Sequence, residues 1–420
     1  MHKSSIIGSA ILLLFSMAIG LGISESIYRF VLYSQHIDRF KKPVSEHVGV
    51  YDRSHWSYSE EFGYGYPPDR KIHYSGISRD GIVVACGLID VINERGNIGP
   101  IEGSYKDADL KVLVFGDSWA AFNINRTTWP DLLQRDLQAR LGRSVHVVNF
   151  GRDGYGILQM FDLAAHEIER WKPDLVIFAF ITNDLARLRT WRVPIVEEGR
   201  EVRVITHFEK SKTPDMDKAY DTFLIHPDAT PEWCEKAKAR GTTDEVAAAI
   251  FAKREGSIEA TGDKWADIYT LSTSFLLNRV LHGNPFHGVK DRYSFPSMEI
   301  DDYARDGGFK AALEKVKSSG VPALMFHHAF YPEVIAGKEY IMNYKETSLL
   351  KSLIRETEFP MIETLKNVDL PVKNPERMNA SETNFHPSLW GMDFYSKALT
   401  RALVDKGILS DRVPGMAARQ

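Results

Sequence analysis

Between Leu110 and Asp184 the chain alternates apolar runs with amphipathic ones. That rhythm limits the fold more than any other feature of the 420 residues. "LKVLVFGDS" reads as a strand. "TWPDLLQRDLQARLG" carries apolar residues at helical spacing and stops at Gly142. "SVHVVNFG" is a second strand, "YGILQMFDLAAHEIERWK" a second helix and "PDLVIFAFITND" a third strand. Strand, helix, strand, helix, strand in direct succession calls for right-handed crossovers and a parallel sheet. The strands are apolar almost throughout, which fits a sheet covered on both faces.

The rhythm breaks over residues Arg192 to Ile300. Charged helical pieces such as "PEWCEKAKARG" and "TDEVAAAIFAKREGS" predict a helical insertion there. It then resumes as a helix over "YARDGGFKAALEKVKSSG", a fourth strand in "VPALMFHHAFY", a helix in "KEYIMNYKETSLLKSLIRETE", a short edge element in "PMIETLKNV" and a last helix in "GMDFYSKALTRALVDKGI". The domain expected is 109–408, with the insertion at about 192–300. Upstream, 25–108 reads as a juxtamembrane and β-rich appended segment, rich in Tyr, Gly and Pro, with frequent turn signals. Its aromatics Trp56, Tyr58, Tyr64, Tyr66 and Tyr74 could line a sugar-binding surface, but aromatic residues serve more often as packing.

The N-terminus carries no charge from Ser4 to Ser24, about the length needed to cross a hydrocarbon layer of roughly 20 helical residues. No A-x-A-like cleavage site follows, so 1–24 is expected to be an uncleaved transmembrane signal-anchor and not a removed leader. The positive-inside rule conflicts with export. Lys3 lies before the span, while Arg29, Arg39, Lys41 and Lys42 lie after it, which read literally keeps the body cytoplasmic. With a net charge of −4 and no basic block, nothing points to nucleic acid, and no nucleic-acid partner is expected. The only cysteines, Cys86 and Cys234, form neither a metal pattern nor a disulfide framework and are read as unpaired. No cofactor or metal is called for.

In an open parallel sheet, ligands bind outside the carboxyl ends of the strands. Three strands end there on polar clusters: Gly116-Asp117-Ser118, then "NFGRDGYG" with Asn149, Gly151, Gly154 and Gly156, then Thr182-Asn183-Asp184. Far downstream "ETNFHPSLWG" places His386 before the final helix. Acyl transfer needs a nucleophile, a base and oxyanion donors. The Ser118 hydroxyl can attack, its N–H and that of Gly154 can face an oxyanion, the Asn183 amide can add a third donor, and His386 can take the serine proton. Ser118 alone would read as a helix cap and Asp117 as a turn residue. His327 and His328, at the end of the fourth strand, read as packing or substrate contacts and not as metal ligands.

The order G-D-S, N-x-G-x-x-G, N-D and a late His resembles the SGNH (GDSL-type) hydrolase family over about 110–189 and 382–405. The resemblance implies a flavodoxin-like α/β/α sandwich with Ser118 as nucleophile, Gly154 and Asn183 as oxyanion donors beside Ser118, and His386 as base. Two positions depart from the pattern. Ile181 stands where the family has Gly, and Thr383 stands where it has the Asp three residues before the histidine. Glu382 is the replacement candidate for orienting His386. The implied activity is that of a membrane-anchored serine esterase that removes acyl groups, acetyl first, from a carbohydrate or lipid-linked substrate. Such an enzyme is expected on the extracytoplasmic or periplasmic side of a membrane. An O-acyltransferase acting on an envelope polysaccharide could use the same site. A non-catalytic glycan-binding or assembly protein could retain the fold.

Overall fold

The computed structural model describes residues 2–35, 47–54, 56–68, 71–78, 83–91, 93, 96–98, 105–124, 126–209, 221–225, 229–240, 275–282, 298, 301–328, 344–369, 372–380 and 386–413. The chain divides into two compact units. The first combines 1–46 with 249–295. It contains a helix His2–Gln35 and a helix Phe275–His282, joined where the Leu276 N–H donates to Glu25 Oε2 at 2.9 Å. Although the backbone of the first helix is continuous, no helix among the described residues is long and apolar enough to cross a membrane. The membrane span expected over 1–24 is therefore unsupported. The side chains of residues 1–11 and 14 are outside the described set, and the described uncharged stretch, up to Ser24, is shorter than a span.

The second unit holds 47–248 and 296–420. Its strands, in chain order, are β1 His47–Tyr51, β2 Ser57–Ser59, β3 Gly63–Gly65, β4 Lys71–Ser78, β5 Val83–Val91, β6 Leu110–Gly116, β7 Val145–Asn149, β8 Leu175–Phe180, β9 Arg189–Glu197, β10 Arg200–Glu209, β11 Asp221–Ile225, β12 Ala323–His327 and β13 Met361–Glu363. The helices that bear on the site are α1 Ser118–Ala121, α2 Trp129–Leu141, α3 Ile157–Trp171, α4 Gly307–Ser318 and α5 Leu389–Thr400, and the expected helix before the edge strand is present as Tyr344–Thr357.

The central sheet runs β13-β12-β8-β6-β7, every neighbour parallel. Numbered within the sheet the order is 2-1-3-4-5, the doubly wound order whose topological switch lies between β6 and β8. Both faces are covered, as the apolar strands predicted. Leu110, Val112 and Val114 of β6 point to the core under α2 and α5, while Leu113 and Phe115 point to the core under α3 and α4. These five side chains are completely buried, and each contributes about 1.5–3 kcal/mol relative to exposure. Phe178 of β8 and Phe161 of α3 stack at 4.0 Å across the second of these cores. The expected helix over 303–320 is broken at Asp306. Its carboxylate accepts the Phe309 N–H at 2.6 Å and starts α4 as a new helix.

Strands of the appended segment and of the start of the insertion form a six-stranded sheet, β5-β4-β1-β11-β10-β9, while β2 and β3 pair antiparallel as a separate two-stranded hairpin. The insertion is thus not helical throughout, which corrects the sequence expectation for 192–209. β9 and β10 are a hairpin closed at Glu198 and Gly199, both at positive φ (49° and 78°), the pairing a right-twisted hairpin requires. The helix predicted in "PEWCEKAKARG" is present as Pro231–Arg240, whereas "TDEVAAAIFAKREGS" lies outside the described residues. Cys86 of β5 and Cys234 of that helix form a disulfide, so the reading of two unpaired thiols is corrected. Their separation of 148 residues hid the pairing from any spacing rule.

Candidate active site

Ser118 sits at the carboxyl end of β6, beside the switch point. Asp117 and not Ser118 is the helix cap: its carboxylate accepts the Trp119 N–H at 2.9 Å. The Asp117 carbonyl accepts the N–H groups of Ala120 and Ala121, and the Ser118 carbonyl accepts that of Phe122. The first turn is thus satisfied except at one place. The N–H of Ser118 has no partner among the described residues, and neither has its hydroxyl. A short helix that opens on a serine leaves a donor and a nucleophile together at its N-terminus.

Gly154 lies on the adjoining loop after β7. Along this loop the Phe150 N–H goes to the Val114 carbonyl, that of Gly151 to Asn149 Oδ1, that of Arg152 to the Gly116 carbonyl, that of Asp153 to the Tyr66 hydroxyl and that of Tyr155 to the Arg152 carbonyl. Only the Gly154 N–H is left over, again among the described residues. Gly154 adopts φ 87°, where a side chain is strained. A Cβ there would also lie 3.2 Å from Arg192 Nη2.

Asn183 follows β8 on the other side of Ser118, in the single turn Thr182–Leu185, with its side chain exposed and unbonded among the described residues. Ile181, which replaces the expected glycine, is buried in the core under α2, and its N–H donates to Asp184 Oδ2 at 3.0 Å. That departure leaves the turn intact.

His386 comes to the same edge from the far end of the chain. Its ring stacks on Phe122 at 4.8 Å and lies 4.7 Å from the Trp119 ring, both on the segment that begins at Ser118. Two residues later Ser388 caps α5 by accepting the Gly391 N–H at 3.1 Å. Burial holds the imidazole below its ordinary value of 6.5; the charge of Asp153 opposes that shift and Arg187 adds to it. A neutral imidazole at neutral pH is the form able to accept a proton. Glu382 and Thr383 lie outside the described residues.

Beneath the site is a cluster that motif reading missed. Asp117 and Asp184 are completely buried, and Arg187 reaches both, with Nη1 2.8 Å from Asp184 Oδ1 and 3.7 Å from Asp117 Oδ2. Burial pushes Asp117 up to about 6 against the pull of the guanidinium. Asp184 is raised well above the ordinary value by burial and by the charge of Asp117. The only sequence signal was the spacing of Asp184 and Arg187, one helical turn apart. His327 and His328 are packing residues. His327 Nε2 is 3.0 Å from Thr182 Oγ1, and the His328 ring packs against Trp129, Phe326 and Tyr395. Among the described residues no three His, Cys, Asp or Glu side chains gather to hold a metal ion. Trp56, Tyr64 and Tyr66 are buried in packing, Tyr58 is exposed, and the side chain of Tyr74 is outside the described set.

Comparison with known proteins gives one family match and several similar solved structures. Residues 112–223 match the model of the GDSL-like lipase/acylhydrolase family. A comparison with curated protein sequences found no match. Among solved structures, the chain is similar to a lipase/acylhydrolase from Enterococcus faecalis at 12% identity and a TM-score of 0.34, over 70% of this chain and 95% of that one. An acetylxylan esterase from Geobacillus stearothermophilus gives 12% identity and a TM-score of 0.32, over 70% and 94%. A family 3 carbohydrate esterase from Clostridium thermocellum gives 9% and 0.32, over 72% and 98%. Three motifs in order at strand ends, a late histidine before the last helix, and a family model across the first three lead to one conclusion: residues 112–223 match the GDSL-like lipase/acylhydrolases, which supports an SGNH-type hydrolase domain acting on ester bonds.

Proposed function

We propose that the protein is a serine esterase that removes acyl groups, acetyl above all, from a carbohydrate or lipid-linked substrate. One observation carries the reading: the N–H groups of Ser118 and Gly154 and the Asn183 amide, on three neighbouring strand-end segments, are unspent among the described residues. Of the three, the Ser118 N–H is buried, and a buried donor left unpaired is costly unless something binds there. An oxyanion is the ligand that three such donors suit.

In this reading Ser118 Oγ attacks the acyl carbon while His386 takes its proton. The tetrahedral oxyanion is held by the three donors. The alcohol leaves with the proton from the imidazolium, and an acyl-serine remains. Water then attacks the acyl-serine, gives a proton to His386, and the carboxylic acid departs as the serine recovers its hydrogen. Glu382 is proposed to orient the imidazole. The catalytic body is proposed to act outside the cytoplasm, held at a membrane by the N-terminal helix. The uncharged run Ser4–Ser24 and a disulfide suited to an oxidising compartment support that location.

Hydrolysis of p-nitrophenyl acetate tests the chemistry. Wild type is expected to exceed the buffer rate, and Ser118→Ala and His386→Ala to fall by about 10³-fold or more. A Ser118→Ala protein as active as wild type would overturn the assignment. An unchanged rate in Glu382→Gln would remove Glu382 from the proposed triad.

A further inference from the structure

The Gly154 N–H shares a planar peptide unit with the Asp153 carbonyl, so whatever fixes that oxygen also aims the N–H opposite it. Tyr64, at the centre of the short strand β3, donates its hydroxyl to the Asp153 carbonyl oxygen. The Thr190 hydroxyl donates to the Gly154 carbonyl at 2.9 Å and fixes the next peptide plane. The preceding plane is fixed too, because the Asp153 N–H donates to the Tyr66 hydroxyl at 3.0 Å. The Asp153 side chain accepts from Arg192 Nη1 at 2.8 Å. The Arg192 guanidinium lies over the rings of Trp56 and Tyr64, at 4.1 and 4.9 Å. None of these contacts comes from the central sheet. Trp56, Tyr64 and Tyr66 belong to the appended segment, and Thr190 and Arg192 to β9 of the second sheet.

Tyr64 is itself held. Its carbonyl accepts from the Tyr155 hydroxyl at 2.6 Å. Gln159 Nε2 donates to the Phe62 and Thr190 carbonyls, both at 2.8 Å, and so ties the β2–β3 turn to β9. The turn is packed so closely that a Cβ at Gly63 would sit 2.2 Å from the Thr190 carbonyl oxygen. Burial raises the Tyr64 phenol well above its ordinary value, so it remains a proton donor. A hydrogen bond to a peptide oxygen also polarises the N–H of the same unit and strengthens it as a donor.

We propose that Tyr64 is a positioning residue of the oxyanion hole, with the β2–β3 hairpin and β9 acting as a brace that aims and polarises the Gly154 N–H through the Asp153–Gly154 peptide. The proposal rests on the esterase reading above. It predicts that removal of the Tyr64 hydroxyl weakens the transition state and not substrate binding.

The test uses the full chain with p-nitrophenyl acetate and, as a tetrahedral mimic, phenylboronic acid, whose adduct on Ser118 places an anionic oxygen in the hole. Tyr64→Phe is expected to lower kcat by about ten-fold, less than the 10²–10³ lost with a whole donor, leave KM unchanged and raise the boronate Ki by a similar factor. A purely structural tyrosine would lower the melting temperature and leave kcat and Ki of the folded protein at wild-type values, and that result overturns the proposal. If Tyr64→Phe does not fold, Tyr66→Phe and Thr190→Val read the planes on either side. Wild-type kcat and Ki in both would overturn it equally. Ser118→Ala in the same assay separates the two levels. Activity that survives Ser118→Ala defeats the esterase assignment, whereas an inactive Ser118→Ala beside a fully active Tyr64→Phe defeats only the brace.

Discussion

His386, the proposed base, titrates in an unusual setting, because its ring packs against two aromatics of the segment that begins at Ser118. Burial favours the neutral imidazole, Asp153 favours the charged one and Arg187 the neutral one again, and the net direction is downward from 6.5. The base is active when unprotonated, so a lowered value keeps it active further into the acid range. The acid limb of the kcat/KM profile is therefore expected below pH 6.5. Asp153→Asn, which removes the charge that favours protonation, should move that limb lower still. A limb at or above 6.5, or one that moves up in the variant, would contradict this account of the imidazole. The pH profile of p-nitrophenyl acetate hydrolysis measures both.

At the scale of elements, the parallel sheet and the placement of the motif residues beside its carboxyl edge were legible in the sequence for a physical reason. A strand buried on both faces must be apolar throughout, and its polar residues collect at the end where ligands bind. Ser118, Gly154 and Asn183 follow such ends, and His386 comes to them from the segment before α5. The β9–β10 hairpin escaped because Pro194 and the charged residues around Glu198 hid the alternation in "RTWRVPIVEEGREVRVITHFE". The brace around Gly154 escaped because Tyr64 and Arg192 meet across more than a hundred residues of chain. Arg187 also joins distant elements. It links the turn after β6 to the turn after β8 through Asp117 and Asp184. Arg187→Met should leave two buried carboxyls without their cation. With the arginine side chain 24% exposed, the expected loss is about 2 kcal/mol, below the roughly 3–5 kcal/mol of a fully buried pair. Both carboxyls are already raised, so their contribution to stability is present below the ordinary value of 3.8 and declines as pH rises, for Asp117 through about 6. Without Arg187 that decline steepens. The deficit of the variant in urea unfolding should be largest at neutral pH and shrink as pH falls toward 3.8. A deficit independent of pH would mean that the arginine acts by packing alone.

For the whole molecule, the second sheet is what turns a small hydrolase core into a larger body, and its outer strand is fastened covalently. β5 is held to the helix Pro231–Arg240 by Cys86–Cys234, around which the partly buried Trp233 packs. That link closes 148 residues of chain, including β6 to β11 and three of the four motif positions. In the chain-entropy description, a loop of that length constrains the unfolded state by about 5 kcal/mol. Reduction should therefore lower the urea midpoint substantially while leaving the Ser118 site assembled, since no active-site contact passes through either sulfur. The paired variant Cys86→Ala/Cys234→Ala is expected to reproduce the reduced protein in stability and to retain the wild-type kcat. A bond that stabilises this much is useful only where it can form, which connects it to the proposed location. Protein recovered from its native cells under alkylating conditions should carry no titratable thiol at either position. Two alkylated cysteines in that material would remove the disulfide from the argument for export and leave it resting on the uncharged N-terminal run alone.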